Sequence, residues 1–167
     1  MIFRDVTHDR KRGVRSQGFT AMELIIALVM VVILAGVSVP FILGALESYR
    51  LRAASWQLAG DLRLVRQKAV STLKKHRLSF NDQQAQIDRN TYTIEIEEGG
   101  GWSRLTPVPI TFSPGINIDP TSTPKDRKIE FDVKGKPARS GTIRLRSKAG
   151  GYDISVDTVG RVNVTKL

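Results

Sequence analysis

An uncharged apolar run of 23 residues, from Leu24 to Leu46, is the feature that most constrains how this chain can fold. As an α-helix it rises about 1.5 Å per residue, which is enough to cross the roughly 30 Å hydrocarbon core of a bilayer. The 18 residues before Phe19 contain 5 Lys/Arg and 2 acidic residues, so the positive-inside rule places them in the cytoplasm. The sequence therefore predicts a single-pass anchor, with everything after Leu46 on the far side of the membrane.

The apolar run exceeds the about 7–15 residues of a secretory h-region, and no small-residue cleavage site ends it, so the simplest interpretation is an uncleaved signal anchor. Glu23 complicates that interpretation, because a carboxylate in hydrocarbon costs on the order of 3 kcal/mol. Thr20-x-x-Glu23 has the spacing of a capping box, in which both side chains satisfy free helix amides. From the residues alone, a structural cap and a functional carboxylate both stay open.

The whole N-terminal string resembles type IV pilins and the pseudopilins of type II secretion. The matching features are a basic leader ending in Gly18, then Phe19, Glu23 and an apolar helix interrupted by Pro40. The resemblance implies that a prepilin peptidase cleaves between Gly18 and Phe19 and methylates the new amino group of Phe19. It also implies that Glu23 pairs with that amine on a neighbouring subunit during filament assembly.

Pro40 lies inside the predicted helix, with Gly36 four residues before it and Gly44 four residues after it. Proline removes a backbone hydrogen bond and crowds the carbonyl at position i−4, so a kink or weak point is expected here. A tolerated transmembrane kink is one interpretation. The resemblance implies another, namely that this helix break unwinds when the subunit passes from bilayer to filament.

After Leu46 the helix is predicted to continue to about Lys74, because apolar residues recur at three- and four-residue spacing. These are Leu51, Ala54, Leu58, Leu62, Val65, Ala69 and Leu73. From residue 77 onward, short alternating segments separated by glycines predict strands. The predicted parts are a leader (1–18), a transmembrane and assembly helix (19–46), an amphipathic helix (47–76) and an antiparallel β domain (77–167). The fold class is α+β, with the helix packed on the β domain.

The order of the C-terminal segments resembles the GspH/FimT branch of minor pseudopilins. The matching residues are Ile129-Glu130-Phe131-x-x-x-Gly135, Gly141-Thr142-Ile143-Arg144-Leu145 and Gly160-Arg161-Val162. FimT-like members bind DNA through a Gly-Arg-x-Arg motif, but Asn163 replaces the second arginine here. Binding of nucleic acid is the alternative function. A solvated strand face is the simpler interpretation of the basic residues there. Its candidate residues are Arg144, Arg146, Lys148, Arg161 and Lys166.

An enzyme needs a nucleophile with a base, paired carboxylates or a metal cluster. The chain has no cysteine and lacks HExxH, GxSxG and Walker-type motifs, so we expect no catalytic site, no metal site and no cofactor. His76 is interpreted as a solvated residue near the helix end. The run of Glu95, Glu97 and Glu98 is interpreted as a solvated face, with a weak cation site as the alternative.

These features predict a minor structural subunit of a type II secretion pseudopilus or a type IV pilus, with DNA uptake in natural transformation as the alternative role. The expected location is the bacterial inner membrane, with the C-terminal domain in the periplasm until it enters a filament. The expected partners are other pilins or pseudopilins, the prepilin peptidase, the membrane and the inner-membrane assembly platform. DNA is a further candidate partner.

Overall fold

The computed structural model describes residues 18–80, 90–119 and 127–167, without the side chains of residues 39 and 40. The predicted leader, apart from Gly18, lies outside the described residues. Residues 81–89 and 120–126 also lie outside them. The chain divides into two compact units, Met1–Pro40 and Phe41–Leu167, and one α-helix, α1 (Ala21–Thr72), contributes to both.

In the first unit, α1 is apolar on every side. Its large side chains are exposed, including Met22, Leu24, Leu28 and Leu34. Among the described residues, one helix is long and apolar enough to cross a membrane, judged by length and composition, and that helix is α1. A helix that is hydrophobic all round is typical of a membrane span, as the sequence predicts.

In the second unit, α1 ends at Thr72, and Leu73 terminates it in the left-handed conformation (φ 52°). Nine strands follow among the described residues. They are β1 (His76–Phe80), β2 (Thr91–Glu98), β3 (Gly101–Arg104), β4 (Ile110–Thr111), β5 (Asn117–Ile118), β6 (Lys128–Phe131), β7 (Gly141–Ser147), β8 (Gly150–Val156) and β9 (Val162–Lys166). The predicted α+β class is confirmed, with an all-antiparallel β region.

The strands form two sheets. In the first, β1 pairs with β2 and β6, while β3 and β4 both pair with β2, giving the order β3-β2-β1-β6 with β4 beside β2. In the second, the order is β5-β7-β8-β9. The connection between β2 and β3 is a two-residue hairpin of Gly99 (φ 60°) and Gly100 (φ 81°), two positive φ values that glycine adopts without strain.

A single hydrophobic core joins the helix to both sheets. The helix side contributes Leu51, Ala54, Leu58, Ala59, Leu62, Val65 and Ala69. Their three- and four-residue spacing confirms the predicted amphipathic face. The prediction was wrong for Leu73, which is 73% exposed because the helix has already ended. Each sheet supplies residues to the same core, such as Leu78 and Phe131 from the first and Ile143 and Ile154 from the second.

Trp102 lies on β3, is half-buried and stands outside the core cluster. Its ring instead lies 4.0 Å from the Arg77 guanidinium carbon. This cation–π contact joins β3 to β1 across β2, the strand that lies between them.

Candidate functional site

The start of α1 carries the predicted cap. The Glu23 amide donates a hydrogen bond to Thr20 Oγ1 at 3.2 Å, and the Leu24 amide donates one to the Thr20 carbonyl oxygen at 3.2 Å. Within residues 18–80, 90–119 and 127–167, the Glu23 carboxylate accepts no hydrogen bond and forms no ion pair. Half of the capping box is therefore present, and the carboxylate itself stays available to another molecule.

The predicted processing residues Gly18 and Phe19 lie just before this cap, in an exposed and non-helical stretch. A peptidase requires an accessible backbone, and this exposed stretch offers one. Cleavage between these two residues would place the new amino group four residues before Glu23.

The α-helix continues without interruption through the predicted helix break at Gly36, Pro40 and Gly44. A Cβ atom added at Gly36 or at Gly44 would meet no atom within 4 Å, so the chain's own packing does not explain either glycine. Unwinding of this segment in a filament stays a prediction.

The five candidate nucleic-acid residues do not form one uniform basic patch. Arg144 donates from Nε and Nη2 to the two Asp153 oxygens, at 2.7 and 2.8 Å. This bidentate pair lowers the pKa of the Asp153 carboxyl and raises the pKa of Arg144. Arg146 Nε lies 3.1 Å from Asp119 Oδ2. Two of the five cations are thus bound to acids of their own sheet region.

Arg161 is also paired within the chain. Its Nε donates to Asp157 Oδ2 at 2.9 Å, and its amide donates to Asp157 Oδ1 at 2.7 Å. That amide contact is the main cause of the lowered pKa of the Asp157 carboxyl. Lys148 and Lys166, the remaining two candidates, are exposed. Three of the five candidate cations are therefore paired with aspartates of the same chain.

Gly160, which begins the motif-like Gly160-Arg161 pair, has a structural role. Its φ is +82°, and an added Cβ would lie 2.5 Å from the Gly135 carbonyl oxygen. Arg66 Nε donates to that same oxygen at 3.0 Å. The glycine is needed where two turns meet under the Arg66 side chain, so its presence is explained without nucleic acid.

Two helix arginines fasten α1 to the loops and edge of the second sheet. Arg66 bonds the Gly135 carbonyl oxygen, and its Nη2 also lies 3.4 Å from the Val159 carbonyl oxygen. Arg63 Nη2 donates to the Val162 carbonyl oxygen of β9 at 3.0 Å. Sequence patterning missed both roles, because a basic residue on an amphipathic helix looks solvated and the acceptors are backbone atoms.

The acidic run on β2 is solvated only in part, since Glu98 is exposed, Glu97 is half-buried and Glu95 is buried. Each of its carboxylates faces a cation from the junction between α1 and β1. Lys74 Nζ lies 2.9 Å from Glu98, Lys75 Nζ lies 3.4 Å from Glu97, and Arg77 bonds Glu95, which is 8% exposed. We call these three pairs the junction ladder; it results from the antiparallel register between β1 and β2.

His76 is a buried residue of β1, so its interpretation as a solvated side chain was wrong. Its Nδ1 lies 3.0 Å from the Lys74 carbonyl oxygen, whereas Nε2 is buried without a partner in the described part of the chain. Within the same described residues there is also no cluster of three or more His, Asp or Glu side chains that could hold a metal ion.

The comparisons with known proteins agree with this fold. No protein-family model matches the sequence. The chain is 30% identical over 151 residues to competence protein ComGD of Bacillus subtilis, covering 90% of this chain and 94% of the relative. The chain belongs to the ComGD family. It is a minor subunit of the type IV pilin-like class.

Two solved structures share the fold of this ComGD-family chain. The type IV minor pilin FimU of Pseudomonas aeruginosa superimposes with a TM-score of 0.53 at 17% identity, over 71% of this chain and 90% of FimU. The minor pseudopilin EpsH from the type 2 secretion system of Vibrio cholerae gives 0.56 at 11% identity, over 70% and 97%.

Proposed function

We propose that this ComGD-family chain is a minor filament subunit, processed between Gly18 and Phe19 and assembled through its N-terminal helix. The observation that carries the proposal is Glu23. It is a carboxylate at the head of an exposed apolar helix, and no group in the described part of its own chain neutralises it. A counter-charge from another subunit would remove the cost of placing it among apolar helices.

The proposed counter-charge is the methylated amino group that processing creates on Phe19 of an adjacent subunit. Two charges that are each costly in an apolar environment become tolerable when they pair, and the pairing also fixes the register between subunits. The Thr20 hydroxyl already caps the Glu23 amide, so the carboxylate is not needed for starting the helix. The Glu23 carboxylate is therefore available for a contact with another subunit.

The first test is the mass of the N-terminus after co-expression with a prepilin peptidase. We expect the chain to begin at Phe19 with one added methyl group. A chain that still begins at Met1 would remove the proposed pairing, since the required amine would never form.

The second test is Glu23→Ala in a strain that assembles the filament. Membrane insertion should be kept and filament incorporation lost, because insertion depends on the apolar run. Glu98→Ala is the matched control, as it also removes one exposed carboxylate. Equal incorporation of both variants would contradict the assembly mechanism.

The likeness to a competence protein over 90% of the chain favours a filament that serves competence, with a type II secretion pseudopilus as the alternative. Deleting the gene in its native host separates these two roles. Loss of a competence filament would reduce natural transformation, whereas loss of a secretion pseudopilus would reduce protein export. The prepilin peptidase and a membrane assembly platform are the proposed processing and assembly partners.

The proposed topology has the N-terminus in the cytoplasm and the β domain across the membrane. The chain contains no cysteine, so Ser103→Cys on exposed β3 provides a single thiol for labelling. A membrane-impermeant maleimide should label it in intact cells or spheroplasts. Labelling only after lysis would contradict this orientation and place the β domain in the cytoplasm.

DNA binding in transformation remains the alternative role. Lys148 and Lys166, which are exposed, would contribute to it together with Arg146, whose side chain is 60% exposed beside Asp119. A gel shift with full-length protein in detergent tests it. Salt-sensitive retardation that Lys148→Ala/Lys166→Ala weakens would support the role, and no retardation at low salt would remove it.

A further inference from the structure

An open cleft of about 600 Å³ lies within the second unit, where three separate segments meet. Glu47 and Arg50 line it from α1, residues 114–117 line it from the entry to β5, and residues 146–148 line it from the end of β7. The side chains of Arg50, Arg146 and Lys148 are exposed around its mouth. Three cations and one carboxylate therefore line the cleft.

Arg146 is the best positioned of these cations. Its Nε is held at 3.1 Å by Asp119 Oδ2, yet the Arg146 side chain is 60% exposed, whereas that of Asp119 is 13% exposed. The carboxylate thus orients the guanidinium from behind and leaves it directed to solvent. A guanidinium fixed in this way loses little rotamer entropy on binding a phosphate.

The position of the cleft along α1 indicates what it meets. Phe41, Ile42, Leu43 and Leu46 are exposed apolar residues of the same unit, and the cleft begins one residue after them. Arg50 lies four residues beyond Leu46, about 6 Å along a helix axis. The headgroup layer on each side of a bilayer is about 5–8 Å thick, so Arg50 falls at headgroup level when the apolar run is in the membrane.

Tyr49 supports the same placement. It is 70% exposed on the turn of α1 that lines the cleft. Tyrosine and tryptophan are enriched where membrane helices enter the interface, since their rings sit at the level of the headgroups. An exposed tyrosine beside a cationic cleft, directly after an apolar segment, is the pattern expected at a lipid surface.

We propose that this cleft binds the phosphate-bearing headgroup of an anionic phospholipid, in the leaflet where α1 emerges. The inference rests on the membrane anchoring proposed above. Three cations against the one carboxylate of Glu47 give the cleft lining a net positive charge, which suits a single phosphate. Duplex DNA gains its affinity from many phosphates along a groove, and this cleft provides no such track. Binding would hold the β domain against the bilayer while the subunit awaits assembly.

Native mass spectrometry of the full chain in detergent, titrated with phosphatidylglycerol or phosphatidylcholine, tests the proposal. The wild type should retain phosphatidylglycerol preferentially. Arg146→Gln/Lys148→Gln should lose at least about tenfold of that retention, since each cation near an anionic surface contributes appreciably. Lys148→Glu is a second variant that leaves the Arg146–Asp119 pair in place, and it should show a similar loss.

Lys134→Gln/Lys136→Gln is the matched control, because it removes the same charge from an exposed turn. That turn lies beside Arg66, sixteen residues and about 24 Å along α1 from Arg50. Its phosphatidylglycerol retention should equal that of the wild type. Equal losses in the cleft and control variants, or equal retention of both lipids by the wild type, would overturn the proposal.

Two further arms identify other ligands. Inorganic phosphate alone is titrated into the full chain at the same ionic strength; phosphate binding without any preference of the wild type for phosphatidylglycerol over phosphatidylcholine would mean that the cleft takes free phosphate and would overturn the lipid assignment. Retention of a DNA duplex in place of phosphatidylglycerol would overturn it in favour of nucleic acid. Flotation of the full chain with phosphatidylcholine vesicles checks the anchoring separately, so failure of the anchor is distinguishable from failure of the cleft.

Discussion

The hydroxyl of Tyr92 donates a hydrogen bond to Asp61 Oδ2, which links the start of β2 to the C-terminal part of α1. Tyr92 is almost fully buried and also packs at 5.2 Å between ring centroids on Phe112. Between Arg50 and Arg77, Asp61 is the one acid beside 8 basic residues. Its carboxylate is thus used inside the fold and does not serve to balance the surface.

Tyr92→Phe should lower the free energy of unfolding by about 1–2 kcal/mol, because it removes this bond and leaves Asp61 without its donor. Burial, followed by the Asp61 carboxylate, raises the pKa of Tyr92. Stability from this group is complete below the unfolded pKa of about 10 and is lost as the pH rises above it. Thermal unfolding between pH 8 and pH 11 should show this alkaline loss in the wild type. The loss should shrink in Tyr92→Phe, and an unchanged pH profile in that variant would contradict the assignment.

Gly160→Ala should destabilise the protein more than Gly100→Ala. The two glycines have nearly equal φ values of 82° and 81°, so alanine pays a similar backbone cost of about 1–2 kcal/mol at each. At Gly160 the new Cβ also overlaps the Gly135 carbonyl oxygen at 2.5 Å, whereas Gly100 faces open space. Chemical denaturation of the two variants measures the difference. Equal stability would mean that the turns under Arg66 rearrange freely.

Removing Arg77 or Glu95 singly should cost about 3 kcal/mol, because the remaining charge stays largely buried. Their side chains are 19% and 11% exposed. The pair Lys74–Glu98 in the same junction ladder is the control, with side chains 49% and 50% exposed. Its single variants should cost less than about 1 kcal/mol. Double-mutant cycles on both pairs give the coupling energies, and similar values would show that burial does not govern this ladder.

Asp153 and Asp157 should make the β domain sensitive to acid. The hydrogen bond from Arg144 is the main cause that lowers the pKa of Asp153, and the Arg161 amide is the main cause for Asp157. A lowered folded-state pKa contributes stability above the unfolded value of about 4, and that stability is lost as the pH falls. Melting temperatures from pH 6 to pH 2 should decline more steeply in the wild type than in Asp153→Asn. Parallel curves would argue against this contribution.

The helix and most strands could be predicted because their signals are local. The spacing from Leu51 to Ala69 defines one buried helix face whatever packs on it, and alternation in β7 and β8 is read from a few residues at a time. Leu73 continues the apolar spacing but lies just past the end of the helix, where it adopts a positive φ. No glycine or proline marks that end in the sequence.

The contacts that were mistaken or missed depend on strand register. Glu95 and His76 looked solvated in a polar neighbourhood, and only the pairing of β1 with β2 and β6 buries them. Likewise, Arg144 looked available until β7 placed it opposite Asp153 on β8. The cationic cleft could not be foreseen, since residues 47–50, 114–117 and 146–148 are far apart in sequence. Glu23, by contrast, can be identified from the sequence, because a carboxylate at the head of an apolar run is a local feature.

The two helix arginines and the junction ladder have a mechanical consequence. Arg63 fastens α1 to β9 in the second sheet, whereas the ladder ties the end of the helix to β2 in the first. A pull on the helix is therefore transmitted to both sheets through these contacts. A subunit that is drawn out of a lipid phase by this helix carries its β region with it as a single load-bearing body.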